Sequence, residues 1–243
     1  MNISFILLFI GLLTVTIYFY STNSPDKIQT IQTNINMPEQ VQQLFHDTHY
    51  INLLHRRDRK RLVEKELSTM KIKRFQRFDA LTGKNGHIGC SRSHLQLLKN
   101  SKKNNHPFIA IVEDDIHFKN SQKTIHQLQK LLESNESWDV IILGGVGGER
   151  NRLSPYYSSA NGVSSTTGYI VNKKYIDTLI DHWEKGLKKL EKNPEKHTIY
   201  ALDQTWKQLQ KKNKFIILSD HDVVQRSDFS DIQGGYIDYT DYF

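Results

Sequence analysis

The chain has 243 residues, with 33 Lys and Arg against 26 Asp and Glu, and a single cysteine, Cys90. That length suits one domain with appendages, and one thiol is read as excluding any intrachain disulfide and any Cys-based zinc site. The basic balance, with a sequence pI near 9.3, suits an anionic partner such as a nucleotide, an anionic lipid surface or nucleic acid, without choosing among them.

Residues 3–20 form an apolar run interrupted only by Ser4, Gly11, Thr14 and Thr16, close to the about 20 residues that cross a bilayer. No basic stretch precedes it and no small-residue cleavage pattern follows it. Residues 1–20 are therefore read as an uncleaved single-pass transmembrane anchor, with a cleaved signal peptide as the alternative. Lys27 is the nearby basic residue, too little to set orientation; a type II arrangement would place the domain in the lumen of the ER or Golgi. Residues 21–48, rich in Gln, Asn and Thr with Pro25 and Pro38, are expected to be a polar stem, and residues 49–243 the folded domain.

Tyr50-Ile51-Asn52-Leu53-Leu54 predicts a short strand. It leads into the basic run from Arg56 to Arg61 and a helix with Leu62, Val63, Leu67 and Met70 on one face. Such a cluster at a strand-to-helix turn either meets phosphate or is a solvated helix start. A second strand is expected over residues 74–80, a turn over Thr82–Gly86, and a helix N-capped by Ser91. On that helix His94 faces inward beside Leu95 and Leu98; an inward His is more often a hydrogen-bonded core residue than a site residue.

The stretch from Phe108 to Asp115 carries the most chemistry. Five apolar residues, Phe108 to Val112, predict a buried strand, and Glu113, Asp114 and Asp115 follow at its C-terminal end, the edge where open α/β sheets bind ligands. In an extended chain Glu113 and Asp115 share one side and Asp114 takes the other. Two carboxylates on one side suit a hard divalent cation that also holds phosphate oxygens; the plainer alternative is an acidic solvated turn.

Beyond it, Ile125, Leu128, Leu131 and Leu132 predict an amphipathic helix, and Trp138 to Leu143 a second buried strand stopped by Gly144-Gly145. Neither a dinucleotide fingerprint nor a P-loop is present. Residues 151–165 read as a mobile loop over a site, residues 168–171 as a strand, and Tyr175 to Leu190 as a long helix ended by Asn193-Pro194. Ile199, Leu202, Trp206 and Leu209 define one more helical face, with Asp203 within about 80° of its centre. An acid there must be paired, neutralised or functional. Residues 215–218 form the last strand, running into Asp220-His221-Asp222. Strands alternating with helices predict an α/β fold with a largely parallel sheet.

The order of several short pieces resembles glycosyltransferase family 25, the lipooligosaccharide and procollagen galactosyltransferase family: Tyr50-Ile51-Asn52-Leu53, Asp58-Arg59, Arg77-Phe78-Asp79-Ala80, Ile88-Gly89-Cys90 with Ser93-His94-Leu95, Ile111-Val112-Glu113-Asp114-Asp115, Trp138 to Gly145, Gly168-Tyr169, and Ser227 with Ser230-Asp231-Ile232. The resemblance implies a GT-A-type fold, a nucleotide-sugar donor such as UDP-galactose, inverting transfer of a hexose to a glycan or glycoprotein hydroxyl, and Mn²⁺ or Mg²⁺. It implies a metal on Glu113 and Asp115, with Asp114 orienting ribose or the sugar. Asn52, Arg59 and Asp79 are its donor-side candidates, and Ser93 and His94 belong to a family motif grouped with them. Inversion needs a general base on the acceptor side; Asp203 is the candidate. Asp220 and Asp222 compete for that role and, like His221, are alternatively read as completing the metal site. Two other classes stay open: a carbohydrate-binding relative without catalysis, and a nucleic-acid binder suggested by the basic runs at 56–61 and 71–74.

Overall fold

The computed structural model describes residues 36–239. The expected anchor and most of the stem lie outside them; among the described residues no helix is long and apolar enough to cross a membrane.

The domain begins earlier than His49. Helix α1 (Glu39–Leu44) is followed by strand β1 (Thr48–Asn52). Val41, Leu44 and Phe45 are fully buried, packed against the elements that follow. The stretch read as the end of the stem is thus part of the core. Its three apolar residues are diluted by Gln and Glu, which hides a two-turn helix from a composition argument. Each of the three side chains contributes about 1.5–3 kcal/mol by burial, and domains are stable by only about 5–15 kcal/mol. A chain starting at Thr48 should therefore melt well below one starting at Asn36. Equal melting temperatures for the two would show that α1 is dispensable.

After β1 come α2 (Arg57–Thr69), β2 (Gln76–Asp79), α3 (Gly86–Ser101), β3 (Phe108–Glu113), β4 (Ile116–Phe118), α4 (Ser121–Glu133) and β5 (Val140–Val146). The chain then forms β6 (Glu149–Arg152), β7 (Tyr157–Asn161), β8 (Ser164–Asn172) and α5 (Ile176–Lys192). Three one-turn helices follow, α6 (His197–Tyr200), α7 (Leu202–Thr205) and α8 (Lys207–Gln210), then β9 (Phe215–Leu218), β10 (Val223–Gln225), β11 (Asp228–Ser230) and β12 (Gly235–Ile237).

Eight strands make the main sheet in the order β2-β1-β3-β8-β5-β9-β7-β6. The pairs β2–β1, β1–β3 and β5–β9 are parallel. Strand β8 runs antiparallel to both β3 and β5, and β7 antiparallel to β9 and β6. The sheet is therefore mixed rather than largely parallel. A buried apolar strand reads the same in either direction, so burial could not reveal the reversal of β8. Residues 149–161 form an edge hairpin, not a mobile loop; its polar outer strand obscured the pattern.

Helix α3 begins at Gly86, not at Ser91. Asn85 caps it by accepting from the Ile88 N–H at 3.0 Å, and an Asn side chain satisfies one of the free N–H groups of a first turn. Helix α5 buries Ile176, Leu179, Ile180, Trp183 and Leu190 at helical spacing and packs on α3. Trp206 is fully buried and donates its indole N–H to the Val163 carbonyl at 3.0 Å. Its ring meets Tyr169 at 5.6 Å and Phe215 at 5.7 Å, both edge to face. This aromatic cluster fixes Tyr169, which in turn reaches the site.

Candidate active site

The carboxylates converge through a turn rather than through strand alternation. Strand β3 ends at Glu113, paired with Ile51 of β1, and Asp114-Asp115 turn the chain into β4. Two hydroxyls of β8 meet the acids: Thr166 donates to Glu113 Oε1 at 2.7 Å and Thr167 to Asp115 Oδ1 at 3.5 Å. Arg59, buried at the start of α2, places Nη1 3.0 Å from Asp114 Oδ1 and 3.3 Å from Asp115 Oδ2. Asn52 donates to Asp114 Oδ2 at 2.7 Å. Both oxygens of Asp114 are thus engaged by β1 and α2, which makes Asp114 the brace of the turn.

Charge in this turn is unevenly balanced. Burial pushes the Asp115 carboxyl up to about 7, with the neighbouring Glu113 charge adding to it and Arg59 opposing. Burial also raises Asp114. Burial works against the Glu113 charge, but His94, Thr166 and Arg59 together hold its pKa below the ordinary carboxylate value. Three buried or half-buried acids therefore share one guanidinium.

Two cavities meet at these residues. One, of about 390 Å³, lies between the end of β1, the 80–86 loop and the first turns of α3, with Leu53, Leu81, Thr82 and Asn85 on its walls. The other, of about 790 Å³, extends towards α6 and α7 and is lined by His87, Ser165, Thr198, Asp203 and Gln204. Cys90, Glu113, Gln225 and Ser230 border both. Close backbone approaches shape these walls. A Cβ on Gly89 would sit 2.6 Å from the Leu81 carbonyl oxygen, and one on Gly144 would collide with the Val223 carbonyl where β10 crosses β5.

The other candidates divide by position. Asn52 and Arg59 border the smaller cavity but spend their polar atoms inside the protein. Besides Asp114, Asn52 bonds the Arg56 carbonyl and Arg77, and Arg59 bonds Asp228 and the Phe229 carbonyl. Asp79 is exposed and paired with Arg77, and it lines neither cavity. Ser93 is buried; its hydroxyl donates to the Gly89 carbonyl and accepts from the Leu81 N–H, both at 2.8 Å, so it staples the cavity wall to α3. His94 is fully buried, with Nδ1 2.8 Å from Tyr169 Oη and Nε2 3.3 Å from Glu113 Oε1. The expected inward histidine is both a core residue and a neighbour of the acids.

Asp203 sits in the first turn of α7, half-buried. The continuous helix expected there is broken at Ala201, whose ψ of 153° is extended, and Ile199 is 56% exposed rather than inward. Asp203 nonetheless reaches the larger cavity. It accepts from the Ser165 N–H at 3.2 Å and the Gln204 amide at 3.0 Å. Ser165 has a φ of 76°, a left-handed conformation uncommon for a non-glycine residue, and this turn aims its N–H at Asp203. Burial raises the Asp203 pKa, with the Ser165 bond acting against it. Asp220 and Asp222 are bound by Lys123 at 2.9 and 3.2 Å, and neither they nor His221 line either cavity.

The basic run is largely committed as well. Arg56 pairs with Asp58, Asp228 and Asp231 at 2.6–2.8 Å, so with Arg59 it anchors the C-terminal segment. Sequence reasoning missed Thr166, Thr167, Tyr169 and Gln225 as site residues. The polar run Ser164-Ser165-Thr166-Thr167 leading into a buried strand was the available signal.

No curated protein matches the chain. Among solved structures, it covers 70% of its length and 58% of a mannose-1-phosphate geranyltransferase from Thermus thermophilus, at 11% identity and a TM-score of 0.38. It covers 71% of its length and 92% of a glycosyltransferase involved in glycosylation of the major capsid of PBCV-1, at 10% identity and a TM-score of 0.39. Likeness at that level carries no argument. Residues 84–150 match the model of glycosyltransferase family 25, described as an LPS biosynthesis protein, and this stretch supplies Cys90, Ser93, His94 and the three acids. By the segment that builds the centre of its site, the protein is a glycosyltransferase similar to family 25.

Proposed function

We propose that the protein is a metal-dependent, inverting hexosyltransferase that moves galactose from UDP-galactose to a hydroxyl of a glycan or glycoprotein. The observation that carries this reading is the pair Glu113 and Asp115 on a ledge of unbalanced negative charge beside two adjoining cavities. Three acids against one guanidinium fit a hard divalent cation, which favours carboxylate oxygens. Glu113 and Asp115 would hold it, and when bound it supplies Lewis-acid stabilisation of the leaving diphosphate.

The protein's own groups divide the remaining work. The smaller cavity suits the nucleotide sugar, with Asn52, Arg59 and Asp114 bracing its floor. The larger cavity suits the acceptor, because hydroxyl and amide side chains line it and an acid stands ready. Asp203, its pKa raised by burial, takes the proton from the acceptor hydroxyl as that oxygen attacks the sugar carbon opposite the leaving diphosphate. A general base is most effective when its pKa lies nearer the working pH.

A panel of nucleotide sugars incubated with the full chain tests this. UDP-galactose should be consumed with Mn²⁺ or Mg²⁺ present and preserved in excess chelator. Full turnover in chelator would overturn the metal assignment, and failure to consume any nucleotide sugar would overturn the reading itself.

A further inference from the structure

Cys90 and His94 stand four residues apart on α3 and so share one helix face. With Glu113 they bring a sulfur, an imidazole nitrogen and a carboxylate oxygen within 4.8 Å of one another. The His94 side chain is fully buried, and Nε2 has no hydrogen-bond partner among the described residues. Its 3.3 Å separation from Glu113 Oε1 brings the two close without hydrogen-bond geometry. Two ligands each about 2.0–2.1 Å from a tetrahedral zinc ion are themselves about 3.3 Å apart.

We propose that Cys90 Sγ, His94 Nε2 and the Glu113 carboxylate form a binding site for a borderline divalent cation of the Zn²⁺ class. Sulfur and imidazole select such an ion over Mg²⁺ or Ca²⁺, which take oxygen ligands. The surroundings match what metal ligands require: a ligating His usually donates its other ring N–H, and ligating carboxylates are themselves hydrogen-bonded. Here Tyr169 Oη lies 2.8 Å from His94 Nδ1, and the Thr166 hydroxyl holds Glu113 at 2.7 Å. A protonated Nδ1 bonded to Tyr169 leaves the Nε2 lone pair facing the cluster. Cys90 and Glu113 border both cavities, so the fourth coordination position opens to solvent or ligand. A coordinating thiol gives up its proton to the ion's field, and the thiolate and carboxylate together balance the two positive charges. One cysteine is too few for a cysteine-rich site, but the fold adds the other ligands from α3 and β3. The site shares Glu113 with the cation of the proposed transfer, which assigns no role to Cys90 or His94, so the two ions would compete for that carboxylate.

The test is a titration of the reduced full chain with Co²⁺, followed by absorption. The expected result is one equivalent bound, with a thiolate-to-cobalt charge-transfer band in the near ultraviolet that Zn²⁺ abolishes on displacing the cobalt. Because Cys90 is the sole cysteine, that band in the wild-type chain assigns the sulfur without any variant. Cys90→Ser should lack the band and bind Zn²⁺ more weakly by more than the about 10–100-fold that loss of an outer partner costs. Tyr169→Phe should keep the band and lose affinity within that range. Absence of the band from wild-type protein at saturating Co²⁺, or Zn²⁺ affinity unchanged in a folded Cys90→Ser, overturns the proposal.

Discussion

Asp115→Asn should lower glycosyl transfer by at least about 10²–10³-fold, the scale of removing one preorganised group that stabilises transition-state charge, while the protein stays folded. Its stability should move the other way. The folded Asp115 carboxyl is raised from 3.8 to about 7. Below pH 3.8 the group is protonated in both states and contributes nothing to folding. As pH rises towards 7 the unfolded chain releases this proton and the folded chain retains it, so folding is progressively penalised, fully so above about 7. Asn carries no such penalty. Without divalent cation at neutral pH, Asp115→Asn should therefore melt higher than the wild type. Added Mn²⁺ should raise the wild-type melting temperature by relieving the repulsion, and raise that of the variant much less. Equal Mn²⁺ stabilisation of both proteins, with transfer preserved in the variant, would remove Asp115 from the cation site.

Asp203→Asn should lower transfer by about 10²–10⁴-fold, the usual loss when a general base is removed, with donor affinity and Mn²⁺ response retained. The amide oxygen of Asn can still accept from Ser165, so the β8–α7 contact should survive and the melting temperature should change little. Wild-type transfer should rise with pH through the Asp203 pKa and then level off, because the deprotonated carboxylate is the active form; the variant should lose that limb. A lower melting temperature with donor binding and transfer weakened together would show instead that Asp203 is a structural acceptor for the Ser165 N–H. A stable variant with normal transfer would exclude it from the reaction, and Asp222 could not take its place without leaving Lys123.

Local pattern in the chain was enough to locate the reactive edge. The apolar run from Phe108 to Val112 ending in three acids marks a buried strand delivering charge to a sheet edge, and the structure shows that strand and those acids in place. The spacing of Ile176, Leu179, Ile180 and Trp183 likewise specifies α5, because periodicity records which face is buried. Asp203 was legible as an acid near an apolar stripe, although the helix proposed to carry it is broken at Ala201. What local pattern does not record is the partner. The reversal of β8 sets Thr166 and Thr167 against Glu113 and Asp115. The distant Asp228 and Asp231 engage Arg56 and Arg59, so a run that reads as a phosphate-binding cluster is occupied by the chain's own C-terminal segment. His94 next to Leu95 looks like a core residue; only the packing of Tyr169 beneath it and β3 beside it leaves its Nε2 turned to Glu113 and Cys90. Burial preference is written residue by residue, whereas pairing, register and the charge a side chain meets depend on contacts between residues far apart in sequence, and those the tertiary structure alone decided.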